Sequence, residues 1–225
     1  MSVGRLTDLQ SRLLRVLAAV TPPWTLTGGA ALVGFYTAHR VTRDLDLFWT
    51  GLDALGTVPA VVADTLRREG LSVDDVQTAP TFHRLRVSDG REVVVVDLVA
   101  QRGGWIEAPT ERSVGHVSVR VDSPHQILVN KITALLGRAE LRDLEDVKVL
   151  LANGGDLPRA LADAPRVDGG FSALTLAWIL DTFPLRLLAA RLGRDEGEVD
   201  ALDRFRIELI ERVTRIAADE LAERS

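Results

Sequence analysis

Asp44 and Asp46 stand one residue apart in Arg43-Asp44-Leu45-Asp46-Leu47-Phe48, a segment that begins fifteen residues after Gly28 of Gly28-Gly29-Ala30. In an extended chain successive side chains point to opposite faces, so Asp44 and Asp46 share one face while Leu45 and Leu47 turn toward a core. Two carboxylates on one face can share a hard cation. Mg²⁺ suits such a site, since it takes one or two carboxylates and completes its shell with substrate phosphates and water. The glycine pair supplies the complementary half. Glycine lets the backbone approach a ligand closely, and the free N–H groups of a first helical turn favour an anion. A lone Gly-Gly is usually a turn and a lone Asp-x-Asp a solvated strand, but the combination is what metal-dependent chemistry on a nucleoside triphosphate requires.

These residues need elements to hold them. Trp24-Thr25-Leu26-Thr27 reads as a short strand entering the glycines, and Ala30 to Tyr36 as the helix that follows. Leu6 to Val20 carries apolar residues at helical spacing, and Val58 to Arg68 reads as another helix. Leu71-Ser72-Val73, Arg84-Leu85-Arg86-Val87, Val93 to Leu98 and Val117 to Val121 read as strands, with Ser88-Asp89-Gly90-Arg91 as a hairpin turn. From Ser123 onward the pattern is helical, broken at Asn153-Gly154-Gly155, Asp168-Gly169-Gly170 and Phe183-Pro184. The expected architecture is α+β: a mixed sheet with flanking helices over residues 1–122, then a helical lobe over 123–225.

Composition sets the limits. At 225 residues and 46% hydrophobic, the chain can bury a full core. It has no cysteine, so a metal would be held by oxygen or histidine. His39, His83, His116 and His125 show no metal-binding spacing. The net charge of −5 argues against a protein coated in positive charge for non-specific nucleic-acid binding, without excluding a local basic cleft. No apolar run reaches the length of a membrane span, and Met1 to Arg5 lead directly into an amphipathic pattern instead of a signal peptide, so the expectation is a cytoplasmic protein with no membrane partner. Lysine occurs only at Lys131 and Lys148. Lys131 sits among Ile127, Leu128, Ile132 and Leu135, and Arg138 follows two turns later on the same helical face. Asp146 and Lys148 read as ordinary solvated charges on a surface helix.

Strand, Gly-Gly, helix, basic loop and Asp-x-Asp strand, in that order, resemble the DNA polymerase beta-like nucleotidyltransferase superfamily. More closely, Gly28-Gly29-Ala30-Ala31-Leu32 and His39-Arg40-Val41-Thr42-Arg43-Asp44-Leu45-Asp46-Leu47-Phe48 resemble the signature of the AbiEii/AbiGii toxin family of nucleotidyltransferases. Asn130 to Arg138 and Leu141 to Val147 are similar to that family's later motifs, so the resemblance runs from about Trp24 to about Leu151. It implies phosphates at Gly28 and Gly29, with Arg43, Lys131, Arg138 and Arg142 as further nucleotide-binding cations. It implies two Mg²⁺ ions, or Mn²⁺ as the alternative, on Asp44, Asp46 and Asp97. Asp97, near the end of the apolar strand Val93 to Val96, is then either the third metal carboxylate, which also helps deprotonate the attacking hydroxyl, or an aspartate that caps the next turn. Asp143 either orients a basic residue or caps its helix, and in the stretch that includes His39-Arg40, Arg40 or Arg43 either meets phosphate or RNA or lies on a loop surface.

The expected activity is transfer of NMP from an NTP to an acceptor hydroxyl with release of pyrophosphate. Asp44, Asp46, Asp97, Lys131 and Asp143 form the catalytic set. The resemblance implies the toxin half of a bacterial toxin–antitoxin or phage-defence pair, with a cognate antitoxin and tRNA as the RNA acceptor. Two alternatives share the residues: a small-molecule, antibiotic-type nucleotidyltransferase, mildly favoured by the acidic net charge, and a non-catalytic nucleotide-binding module.

Overall fold

A computed structural model of the protein describes residues 6–138 and 140–223; the expectation for Met1 to Arg5 lies outside them. The chain divides into two compact units, Met1–Ile127 and Leu128–Ser225. The boundary lies inside a helix, past the Asp122–Ser123 junction where the helical sequence pattern begins.

The first unit is built on a seven-stranded mixed sheet. Its elements are α1 (Asp8–Leu17), β1 (Thr25–Thr27), α2 (Gly28–Phe35), β2 (Asp44–Thr50), α3 (Val58–Arg68), β3 (Ser72–Ala79), β4 (Phe82–Ser88), β5 (Val93–Gln101), β6 (Thr110–Val114) and β7 (Val117–Val121). The strand order is β3-β4-β5-β2-β1-β7-β6. β2 runs parallel to β5 and β1 parallel to β7, and the other pairings are antiparallel. Along β2, Leu45, Leu47 and Trp49 are buried while Asp44 and Asp46 keep part of their surface, which is the alternation expected of a strand with one face on a core. Leu85, Val87, Val94, Val96 and Leu98 extend that core across β4 and β5.

α1 starts at Thr7, where a capping box pairs the Thr7 hydroxyl with the Gln10 amide and the Gln10 side chain with the Thr7 N–H. This cap starts the helix two residues later than the Leu6 to Val20 pattern suggests, and the helix ends at Leu17. Leu9, Leu13, Leu14 and Leu17 bury its apolar stripe. Its fully buried Gln10 amide donates to the Thr42 carbonyl at 3.1 Å, fixing the chain just ahead of Asp44. α2 begins at Gly28, two residues before the helix pattern itself.

The sequence under-reads the two edges of the sheet. β3 runs from Ser72 to Ala79, well beyond the Leu71-Ser72-Val73 expected, and β6 was not anticipated. Each is paired on one side only and is largely exposed, so neither carries the apolar alternation that identifies an interior strand.

The second unit is helical: α4 (Pro124–Gly137), which starts before the unit boundary, α5 (Leu141–Ala152), α6 (Leu157–Asp163), a 3₁₀ turn at Ala164–Arg166, α7 (Ala173–Asp181), α8 (Leu185–Arg191) and α9 (Glu196–Glu223). Gly154 and Gly155 close α5, and the other two glycine or proline breaks also fall between helices. Among the described residues no single helix is long and apolar enough to cross a membrane.

Candidate active site

The site residues of the first unit lie in one row across the sheet. Arg84 of β4 is the register partner of Asp97 of β5, Asp97 that of Asp46 of β2, and Asp46 that of Thr27 of β1. Partnered residues share a face, so all four side chains emerge on the same side, with Asp44 two residues along β2. Asp122 extends the row. It follows Val121, the partner of Leu26, and its N–H donates to the Leu26 carbonyl at 2.9 Å.

Gly28 presses directly on this row. It takes φ +65°, and a Cβ built there would lie 2.1 Å from Asp46 Oδ2. Only glycine satisfies both the left-handed backbone and the close approach. Gly29, next in α2, meets the basic loop: a Cβ there would lie 2.6 Å from an Arg40 guanidinium nitrogen and 3.4 Å from Thr42 Oγ1. The Thr42 hydroxyl donates to Asp44 Oδ1. A helix start, a guanidinium and the Asp46 carboxylate therefore meet at the glycine pair, with Asp44 reached through Thr42. Arg43, beside them, is exposed.

Arg84 changes the chemistry of the row. Its Nε donates to Asp97 Oδ1 and its Nη2 to Asp97 Oδ2, both at 2.7 Å, a bidentate fork of the strongest kind. The bond to Asp97 raises the guanidinium pKa above its ordinary value against the cost of burial, and the charges of Asp97, Asp46 and Asp44 add to it. At the other end, burial pushes the Asp122 carboxyl up to about 6, opposed by a hydrogen bond from Thr27.

Asp44 and Asp46 fit a hard cation. They present oxygens on one partly exposed face, against a backbone turn too tight for a side chain. Asp97 fits less well, because both its oxygens already accept from Arg84. Among the described residues no group of three His, Cys, Asp or Glu side chains is disposed to hold a metal ion.

In the second unit, Lys131 is 5% exposed and places its Nζ 2.8 Å from both Asp143 Oδ1 and Asp146 Oδ2. Arg138 adds a second fork to Asp143, with Nε 2.7 Å from Oδ2 and Nη2 3.1 Å from Oδ1. Burial works to lower the Arg138 pKa, but the bond to Asp143 and its charge outweigh that and raise it. Asp143 and Asp146 are fully buried. The reading of Asp146 as a solvated surface charge is therefore corrected: the apolar wall around α4 and α5 encloses it, and Lys131 compensates its charge. Lys148 instead donates to the Ala201 carbonyl, and Glu145 pairs with Arg194. Arg138 and Arg142 keep nearly half of their side-chain surface exposed, and Arg142 pairs with Glu140 at 2.5 Å.

A family model described as nucleotidyl transferase AbiEii toxin, type IV toxin–antitoxin system, matches residues 12–223. The chain belongs to the AbiEii family. It is thus a nucleotidyltransferase of a toxin family, a class that uses divalent metal ions and a nucleotide substrate and whose toxins have a cognate antitoxin. Among solved structures it is similar to MenT4, a nucleotidyltransferase toxin from Mycobacterium tuberculosis H37Rv, with a TM-score of 0.59, 17% identity, and 93% of this chain and 85% of that one covered. It is also similar to JHP933 from Helicobacter pylori, with a TM-score of 0.51, 17% identity, and 98% and 100% covered. At these identities the likeness is one of fold. No curated protein matches the chain.

Within this AbiEii-family chain, Arg84 and Asp122 are the site-face groups that the sequence did not single out. The alternation Arg84-Leu85-Arg86-Val87 places Arg84 and Arg86 on one face, yet only the register sets Arg84 opposite Asp97 and leaves Arg86 to pair with Asp74 at 2.8 Å.

Proposed function

We propose that this AbiEii-family chain is an Mg²⁺-dependent toxin that transfers NMP from an NTP to a hydroxyl of tRNA in the cytoplasm. The observation that carries the reading is the packing of Gly28 against Asp46 in the row that Asp97 continues, because it sets a phosphate-compatible turn against a carboxylate pair. Asp44 and Asp46 would hold the metal, Mg²⁺ or its substitute Mn²⁺, which when bound neutralises phosphate oxygens and steadies the leaving pyrophosphate. Gly28, Gly29 and Arg40 bind and orient the triphosphate. The acceptor hydroxyl forms a bond to the α-phosphorus as the bond to the pyrophosphate oxygen breaks, and its proton passes to a carboxylate of the same face.

Exposed Arg43 beside Asp44 favours a polyanionic acceptor, and a toxin's need for an essential target supports tRNA. In the helical cluster Lys131 is buried with two carboxylates, so the half-exposed Arg138 and Arg142 are the cations better able to meet phosphate, with Asp143 orienting Arg138. The test is incubation of the wild type and Asp46→Ala with each α-labelled NTP and total tRNA. Label on tRNA from the wild type alone is expected. Label on a small hydroxylated acceptor but on no RNA would replace tRNA with the small-molecule reading.

A further inference from the structure

A site for a triphosphate needs positive charge beside its carboxylates, and that charge comes from bound cations or from the chain itself. In the Asp97–Asp46 row the chain itself supplies one. Arg84 sits on the interior strand β4, its guanidinium is bonded at both ends to Asp97, and Asp97 is 7% exposed. The fork takes a lone pair from each Asp97 oxygen and fixes a permanent positive charge on that side of Asp46. A divalent ion seated on Asp97 would meet that charge at close range in a partly buried setting, where like charges repel far more strongly than in water. Asp44 and Asp46 lie two strands from Arg84, on β2.

We propose that Arg84 takes the place of a second metal ion. Asp44 and Asp46 hold a single divalent cation, and Arg84, anchored by Asp97, is the fixed cation of the same site. Asp97 is then a positioning residue for Arg84, not a metal ligand. The inference rests on the nucleotidyltransferase reading of this face and narrows it from two ions to one.

The test counts metal in the wild type, Arg84→Ala and Arg84→Lys, each saturated with an α,β-methylene NTP analogue and titrated with Mn²⁺. Equilibrium dialysis gives the number bound, and electron paramagnetic resonance shows whether two ions lie close enough to couple. The wild type and Arg84→Lys are expected to hold one Mn²⁺ per analogue, without coupling, and Arg84→Ala to take up a second, coupled ion. Two coupled ions in the wild type would overturn the inference and leave the nucleotidyltransferase reading standing. A single ion in a folded Arg84→Ala would also overturn it, and if that variant does not fold, the wild-type count decides alone. Absence of any bound Mn²⁺ and analogue in the wild type would instead remove the reading on which the inference rests.

Discussion

The sheet row and the helical cluster use the same residue types in opposite ways. In the first unit Asp44 and Asp46 stay partly exposed on a face where alternation forces every second side chain outward. In the second, Asp143 and Asp146 are fully buried and their charge is met by Lys131 and Arg138. A carboxylate with open surface can take up a cation or a proton. One that is fully enclosed with its counter-charge mainly decides whether the fold persists. The first region thus leaves its carboxylates partly open, and the second encloses them between α4 and α5, with Arg138 and Arg142 half-exposed.

The sharpest way to break this contrast is Asp143→Ala, which leaves Arg138 without its fork and Lys131 short of one of its two carboxylates. Loss of one partner of a buried pair costs about 3–5 kcal/mol, so urea denaturation should show a large drop in midpoint. A change below about 1 kcal/mol would put Asp143 in the same class as the sheet carboxylates. Asp46→Asn tests the other side. It should lower kcat/KM for nucleotidyl transfer by at least about a hundredfold, the scale of losing one preorganised electrostatic group, while the denaturation midpoint barely moves. If stability falls as far as activity does, Asp46 is structural.

Asp122 lies between the two classes, on the sheet face but buried, with a hydroxyl as its hydrogen-bond partner. Its folded-state pKa of about 6 lies above the ordinary 3.8, so its favourable contribution is complete below pH 4 and is lost as pH rises through 6. Asp122→Asn should therefore be more stable than the wild type by roughly 2 kcal/mol above pH 7, and the two should converge near pH 4. Denaturation curves from pH 4 to 8 that stay parallel would show that Asp122 does not titrate in this way. Gly28→Ala is expected to cost about 1–2 kcal/mol of stability from the positive φ. Its activity loss should exceed what its melting temperature suggests, since the new methyl group displaces Asp46 Oδ2. An active Gly28→Ala enzyme would mean that the turn can open without cost.

Much of the interior was legible in the sequence because interior strands are written in a period of two. β2, β4, β5 and β7 stand where apolar alternation or an apolar run placed them, and the Asp89-Gly90 turn joins β4 to β5, with Gly90 at φ +88°. β6 and most of β3 were not legible, because an exposed edge strand has no buried face to mark it. Asp146 was misread for a related reason. Its neighbours Glu145 and Lys148 form an ordinary surface pattern, and nothing local says that Asp146 alone of the three is fully enclosed.

The sequence by itself determined that Asp44 and Asp46 share a face, that a glycine turn precedes them, and that Leu45 and Leu47 anchor their strand. Each follows from backbone periodicity and from what glycine alone can do. Only the tertiary structure decided what stands beside those carboxylates. Which arginine reaches Asp97, which acid lies next to Thr27 and which aspartates close on Lys131 depend on register and on helix packing. Those are long-range choices, made by how distant segments bury their apolar faces together, and no local spacing records them.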